Sequence, residues 1–458
     1  MLDSLHHVHF IGAGGIGVSA IAKLLLERGI SVSGSDAQAS DLTRDLERRG
    51  MMMAYGEMAG NVPSATDLVV FSAAVPDTQV ERVEAARRGI RQLSYPQFLG
   101  EWSKLYTTIA VGGTNGKSTT TAMLGLMLEA AGYDPLVVVG SLVPGFPLGN
   151  ARVGKGRFFV VEACEYRAHL LNLHPEMIVL TNIEEDHLDY FRDLDHIRDT
   201  FQEFLNKLKG KGLAVLNADD VQTNKLVMDR VIKYGTGAKA DYRSSDRRIA
   251  HGTQAVTVLR AQPPETLGDL VLKIPGAFNV ANALAATTAA MELGVPFETC
   301  RRVLKDFRGI WRRFERVGTW RGAEIISDYG HHPTAIRGTV EAAREFFPKR
   351  RVVLCFQPHQ HARTKELLPD FIQALREADV VIIPEIYKVV GRTEAEEKEI
   401  SSRLLADLVR AADPSKTVLF ASDLLDAERI LEALIREGDV VIIQGAGDVD
   451  DVARALVR

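Results

Sequence analysis

Short β-branched and aliphatic runs alternate along this chain with longer stretches of helical spacing, a pattern that predicts strands joined by helical crossovers. His7-Val8-His9-Phe10-Ile11 reads as a first strand, followed by a glycine turn, an apolar helix through Leu24-Leu25-Leu26 and a second strand near Ile30 to Ser33. Leu68 to Ser72 continues that sheet, and Tyr95 to Lys104 reads as the linker that leaves it. A second alternation has strands at Thr107 to Val111, Phe158 to Glu162, Met177 to Thr181 and Leu213 to Leu216, with a helix from Ser118 to Ala131. Residues Gly235 to Ala261 are polar and irregular and predict a small peripheral sheet, before an alanine-rich helix from Asn279 to Leu293. After Phe314 a third alternation places strands at Glu324 to Ser327, Val352 to Phe356, Val380 to Pro384, Val418 to Phe420 and Val440 to Gln444.

Composition sharpens this into an expected domain plan. With 458 residues, 46% hydrophobic and 25% charged, the chain suits a soluble protein of about three domains of ~150 residues each. The expected class is α/β, with a Rossmann-like domain over 1–104, a central mixed-sheet domain over 105–314 and a second Rossmann-like domain over 315–458. A net charge of -5 excludes a global basic field for nucleic acid or an anionic membrane. Runs such as Leu136-Val137-Val138-Val139 fall far short of the ~20 residues a membrane span needs, and no basic-apolar signal opens the chain. A cytoplasmic protein, monomeric or homodimeric, is expected. The widely separated Cys164, Cys300 and Cys355 form neither a disulfide framework nor a metal clip.

The sharpest chemical signal is Gly113-Thr114-Asn115-Gly116-Lys117-Ser118-Thr119, which follows a predicted strand and opens a helix. Glycines let backbone N–H groups approach phosphates, Lys117 brings positive charge to the outer phosphates, and Ser118 offers a hydroxyl to a magnesium ion. ATP with Mg2+ is therefore expected here, on a shorter variant of the P-loop, because Val111 stands where the strict pattern has glycine. In the first domain, Gly12-Ala13-Gly14-Gly15-Ile16-Gly17 with Asp36 downstream predicts a pyrophosphate on a helix N-terminus. That motif is met equally by a nicotinamide dinucleotide, hence an oxidoreductase, or by a UDP-sugar.

Two more clusters sit at strand ends. Glu162 and the run Asn182-Ile183-Glu184-Glu185-Asp186-His187-Leu188-Asp189 flank the phosphate loop if their strands are its neighbours, which puts Glu162 and His187 within reach of the magnesium. Asp328-Tyr329-Gly330-His331-His332-Pro333 and Pro358-His359-Gln360-His361-Ala362-Arg363-Thr364 follow strands of the third domain. Their histidines admit a zinc site, but without acidic or cysteine ligand spacing they favour anion handling by His331 and Arg363.

Taken together, these motifs and the Gly445-Ala446-Gly447-Asp448 stretch resemble the Mur ligases of bacterial cell-wall synthesis, through all three domains. The resemblance implies an ATP-dependent, amide-forming ligase that joins L-alanine to the carboxylate of UDP-N-acetylmuramate through an acyl phosphate. It implies that Gly14, Gly15, Gly17, Asp36 and Ser72 hold the UDP, that Asn279 and Asn282 touch adenine, and that Arg313 attends the phosphates. It also brings Asp328 and His331 to the phosphate end and Tyr329, His359 and Arg363 to the incoming amino acid, with Ser118, Glu162 and His187 as magnesium ligands. Three departures stand out: Cys164 replaces a usual carboxylate, Gln360 replaces an arginine of the alanine-adding members, and Gln202 stands where sister ligases carry a carbamoylated lysine. No modified lysine is expected, and Gln360 keeps open a relative that recycles whole peptides onto the sugar. A relative that holds both nucleotides without joining anything is a further alternative.

Overall fold

Why the apolar runs pair as parallel strands is plain from their burial: His7–Ile11, Leu136–Val138, Met177–Leu180, Val352–Phe356 and Val440–Gln444 are buried along their whole length, as strands covered on both faces must be. The computed structural model describes residues 5–250, 252–388 and 399–458. The chain forms three sheets, distributed over two compact units. The first unit takes the chain up to Ser245 with Val258–Gly268 and Ala281–Leu304; the second comprises Asp246–Thr257, Asp269–Val280 and Lys305–Arg458. Among the described residues no helix is long and apolar enough to cross a membrane.

In the first unit, the N-terminal sheet has strand order Met52–Tyr55, Ser31–Asp36, His7–Ile11, Leu68–Phe71, Arg91–Ser94, all parallel. The order reverses beside His7–Ile11, so the turn after that strand opens into a crevice at the sheet's carboxyl edge. The central sheet places the phosphate-loop strand Thr107–Gly112 between Phe158–Glu162 and Met177–Leu180, parallel to both, with Val111 opposite Glu162 and Gly112 opposite Leu180. That register delivers the ends of all three strands to one edge.

Two expectations are corrected. Residues 95–104 are not a linker: Tyr95–Ser103 is a helix, started by a reciprocal capping box between Ser94 and Gln97 and by a proline in its first turn. Its Trp102 is fully buried, edge-on to Phe98 at 5.4 Å and 6.2 Å from Phe159, and belongs to an apolar core that runs continuously from Val8 to Leu216. Truncating Trp102 to alanine should cost about 3–5 kcal/mol. The polar stretch after Gly235 is not a separate peripheral sheet either. Strands Tyr242–Ala250, Thr253–Arg260 and Glu265–Leu272 extend the central sheet beyond Val231–Gly235, making it ten-stranded.

The second unit's six-stranded sheet runs Glu315–Trp320, Ala323–Asp328, Val440–Gln444, Val352–Phe356, Val380–Pro384, Thr417–Ala421, with the first pair antiparallel and the rest parallel. Alternation divides its core: Val352, Leu354 and Phe356 pack with Ile336, Val340 and Phe371, while Val353 and Cys355 face Ala427, Leu431 and Val452.

Candidate functional site

The glycine turn of the first unit is shaped by backbone demand. Gly12 has φ +74°, and its N–H and that of Ala13 both donate to the Ser35 carbonyl at 3.0 Å. Gly14 N–H donates to Asp36 Oδ2 at 2.8 Å, while Asp36 Oδ1 accepts the N–H of its own successor, Ala37, at 2.8 Å, so one carboxylate oxygen serves the turn. Gly15 is the N-cap of helix Ile16–Glu27, and Ser72 lies against Gly12. Beneath the turn, His9 and Glu81 are fully buried and joined at 2.9 Å, with Ser33, Ser35 and Asn61 completing their hydrogen bonds. Burial works against the Glu81 charge, but the bonds from His9, Ser35 and Asn61 outweigh it and hold the carboxyl below its ordinary value.

The phosphate loop is held as tightly. Gly113 (φ +126°) and Gly116 (φ +86°) take conformations that a side chain would strain, and Gly116 caps helix Lys117–Ala130. Thr114 and Asn115 N–H groups donate to Asn182 at 2.9 Å each, Thr181 Oγ1 donates to the Asn115 carbonyl at 2.5 Å, and Glu184 N–H donates to Thr114 Oγ1 at 2.9 Å. Thr119 is buried in the first helical turn, and Asn282 reaches the loop at Gly116. Asn279, on the same helix Ala277–Glu292, donates to the Pro275 carbonyl at 2.7 Å.

Lys117 Nζ donates to the Gly113 and Thr114 carbonyls at 2.7 and 3.0 Å and pairs with Glu165 at 2.9 Å. Desolvation works against this ammonium, yet Glu165, with Cys164 and Glu162 nearby, raises its pKa above the ordinary lysine value. Ser118 Oγ donates to Glu162 Oε2 at 2.8 Å, and the same oxygen accepts the Gly140 N–H at 2.8 Å. Lys117 thus stands between two carboxylates, of which the sequence singled out only Glu162.

Glu165 links this loop to His187. The imidazole Nε2 lies 3.7 Å from Glu165 Oε1 and 3.9 Å from Asp186 Oδ2, and its ring packs on Tyr166 at 4.7 Å. His187 adopts φ +54°, a strained conformation for a non-glycine residue, which aims it back at the strand ends. Glu165, Asp186 and His187 bring ligand atoms within 4.8 Å of one another, and no other group of three acids, cysteines or histidines does so among the described residues. The structure therefore pairs Ser118 with Glu162 and gathers His187 with Glu165 and Asp186. Part of Cys164 is open to solvent, but crowding around its sulfur, with Glu165 and Glu162 close by, pushes the thiol up to about 12.

In the second unit, Asp328 ends its strand almost fully buried. Its carboxylate accepts N–H groups from Phe314 (2.8 Å) and Gly330 (2.7 Å) and the Gln444 amide (3.1 Å). Burial raises its pKa against the pull of Arg313 and these bonds. Arg313 lies over the Tyr329 ring at 4.9 Å, Tyr329 meets His331 edge-on at 5.6 Å, and His331 is 5.9 Å from His359. Arg363 Nη1 sits 3.5 Å from His359 Nδ1. Asp328, Arg313, Tyr329, His331, His359 and Arg363 thus form one cluster. Tyr387, which carries no motif, completes it by stacking on His359 at 5.4 Å and 17°.

The chain matches the Mur ligase family catalytic domain over residues 7–107, the Mur ligase middle domain over 111–290 and the Mur ligase glutamate ligase domain over 312–447. It is 40% identical over 460 residues to the UDP-N-acetylmuramate–L-alanine ligase of Geobacter sp. (strain M21), covering 100% of this chain and 98% of that protein. The crystal structure of UDP-N-acetylmuramate-alanine ligase from Thermotoga maritima superposes with TM-score 0.85 at 28% identity, covering 98% of each chain. A murein peptide ligase structure from Psychrobacter arcticus gives TM-score 0.74 at 25% identity, over 99% of this chain and 98% of that one.

Proposed function

From the premise that the chain belongs to the Mur ligase family, we propose that it joins L-alanine to the carboxylate of UDP-N-acetylmuramate at the expense of ATP, in peptidoglycan precursor synthesis. The observation that carries the reading is the Lys117 ammonium and Ser118 hydroxyl at the start of one helix, each bonded to a carboxylate, Glu165 and Glu162, beside a second glycine turn in the same unit.

The loop Gly113–Gly116 and the N-terminus of helix Lys117–Ala130 take the triphosphate, with Asn279 and Asn282 at the adenine. Two acids and an imidazole at Glu165, Asp186 and His187, with Ser118 and Glu162 alongside, form a donor set in which hard oxygens dominate, and these oxygens suit magnesium. When bound, that ion supplies neutralisation of phosphate charge. The UDP sits on the turn Gly14–Gly17 with Asp36 and Ser72, and the muramyl carboxylate oxygen attacks the γ-phosphorus, releasing ADP and leaving an acyl phosphate. Lys117 stabilises charge on the transferring phosphoryl group. Arg313, Asp328 and His331 are assigned to that same group. Tyr329, His359 and Arg363 hold the amino acid, whose amine, having lost its proton, attacks the acyl carbon and expels phosphate.

Purified protein given ATP, UDP-N-acetylmuramate and L-alanine should release phosphate in step with amide formation, and omission of either acceptor should stop it. Release that ignores the sugar overturns the reading. Gln360, which leaves the expected amino-acid pocket without the fixed charge of an arginine, favours a second reading in which a peptide replaces alanine. Faster turnover with a cell-wall tripeptide than with alanine would establish it.

A further inference from the structure

Nothing in its sequence context marks Tyr95, yet it lies against the glycine turn of the first unit and within electrostatic reach of the strand end beside the phosphate loop. It opens helix Tyr95–Ser103, which the Ser94–Gln97 capping box fixes at one end. Farther along, a Cβ at Gly100 would run into the Asn172 carbonyl, so the helix lies flush on the central domain while Trp102 anchors it in the shared core. The phenol rests on the glycine turn: a Cβ at Gly17 would lie 2.5 Å from Tyr95 Cζ and 2.7 Å from Oη, so glycine alone leaves the ring this close. The same hydroxyl is within electrostatic reach of Glu162 and Cys164, at the end of the strand beside the phosphate loop. Tyr95 is only half-buried, and among the described residues its hydroxyl has no hydrogen-bond partner, which leaves the oxygen open to water or a ligand.

A sugar-linked acid must span this same interval, with its pyrophosphate on the turn Gly12–Gly17 and its reacting carboxylate beside Ser118 and Glu162. We propose that the Tyr95 hydroxyl donates a hydrogen bond to the substrate between those two points, to an oxygen of the muramyl sugar. The proposal rests on the functional reading above and adds a specificity-determining contact to it. Burial and the neighbouring Glu162 hold the phenol protonated, so it acts as a donor. The rigid helix keeps the hydroxyl in place before substrate arrives, which lowers the ordering cost of binding.

The test is Tyr95→Phe in the full chain, which keeps the ring on Gly17 and removes only the hydroxyl. Calorimetry should show wild type binding UDP-N-acetylmuramate more tightly than UDP. In the variant, affinity for UDP should stay within about twofold, affinity for UDP-N-acetylmuramate should fall about tenfold, and KM for the sugar should rise by the same factor with KM for ATP unchanged. A variant that binds both ligands as wild type does overturns the proposal, and so does one that loses affinity for both equally, since the tyrosine then makes no contact particular to the sugar. If wild type itself shows no preference for the sugar over UDP, the functional reading fails, a result distinct from either.

Discussion

Lys117 Nζ lies 2.9 Å from Glu165 Oε2, while the other oxygen of the same carboxylate lies 3.7 Å from His187 Nε2. One almost fully buried acid therefore ties the phosphate-loop lysine to the histidine of the neighbouring strand end. Replacing it, Glu165→Gln, keeps the shape and removes the charge that sets the lysine's position. We expect kcat to fall about 100-fold, comparable to losing one well-placed electrostatic partner, with little change in melting temperature. A steady-state assay checks this, and a kcat within threefold of wild type would contradict it.

Ser118→Ala removes the hydroxyl bonded to Glu162 and should show itself in the metal dependence of the reaction. The magnesium concentration giving half-maximal rate should rise about tenfold, the equivalent of about 1.4 kcal/mol. A titration with saturating ATP decides it, and an unchanged midpoint would remove Ser118 from the ion's surroundings.

Gly113→Ala should damage folding and nucleotide binding together. The residue sits at φ +126°, and an added Cβ would meet Thr181 Oγ1 and, at 2.9 Å, the Asn182 carbonyl. Strain of about 1–3 kcal/mol is expected, read as a lower melting temperature and as loss of the protection that ATP gives in thermal denaturation.

Acid should weaken the fold through His169. Burial, with Arg167 and His187 nearby, lowers its pKa to about 4. An unfolded imidazole takes up its proton near pH 6.5, so between about 6.5 and 4 the unfolded chain binds more protons. Stability is intact above that window, falls as the pH drops through it and levels off below. Allowing for solvent screening of a half-buried ring, the loss is on the order of 1–2 kcal/mol. Urea unfolding of wild type and His169→Asn at pH 7 and pH 4.5 should show a smaller pH effect in the variant.

What the sequence disclosed and what it hid follow from the same physics. The strands that carry the motifs were legible because each is an unbroken β-branched run ending in glycine or polar residues, as in Ile109-Ala110-Val111-Gly112. Tyr242–Ala250 is hard to read as part of the central sheet because most of its outer half is exposed and its charged residues hide the strand period. Tyr95–Ser103 reads as a linker from its place between two alternations, even though Ser94, Pro96 and Gln97 carry a helix-start signature. Glu165, Tyr95 and Tyr387 acquire meaning only from neighbours distant in sequence: Lys117 for the first, Gly17 for the second and His359 for the third. For Glu165 a faint signal existed, since it lies three residues past Glu162 at a strand end aimed at the phosphate loop.

The central claim is that the sugar-linked carboxylate receives the γ-phosphoryl group before the amine attacks it. UDP-N-acetylmuramate labelled with 18O in its carboxylate, turned over with ATP and L-alanine, should give phosphate carrying one 18O for each amide formed. Phosphate free of label would contradict the account, because the oxygen lost from the acid would then have left by another route.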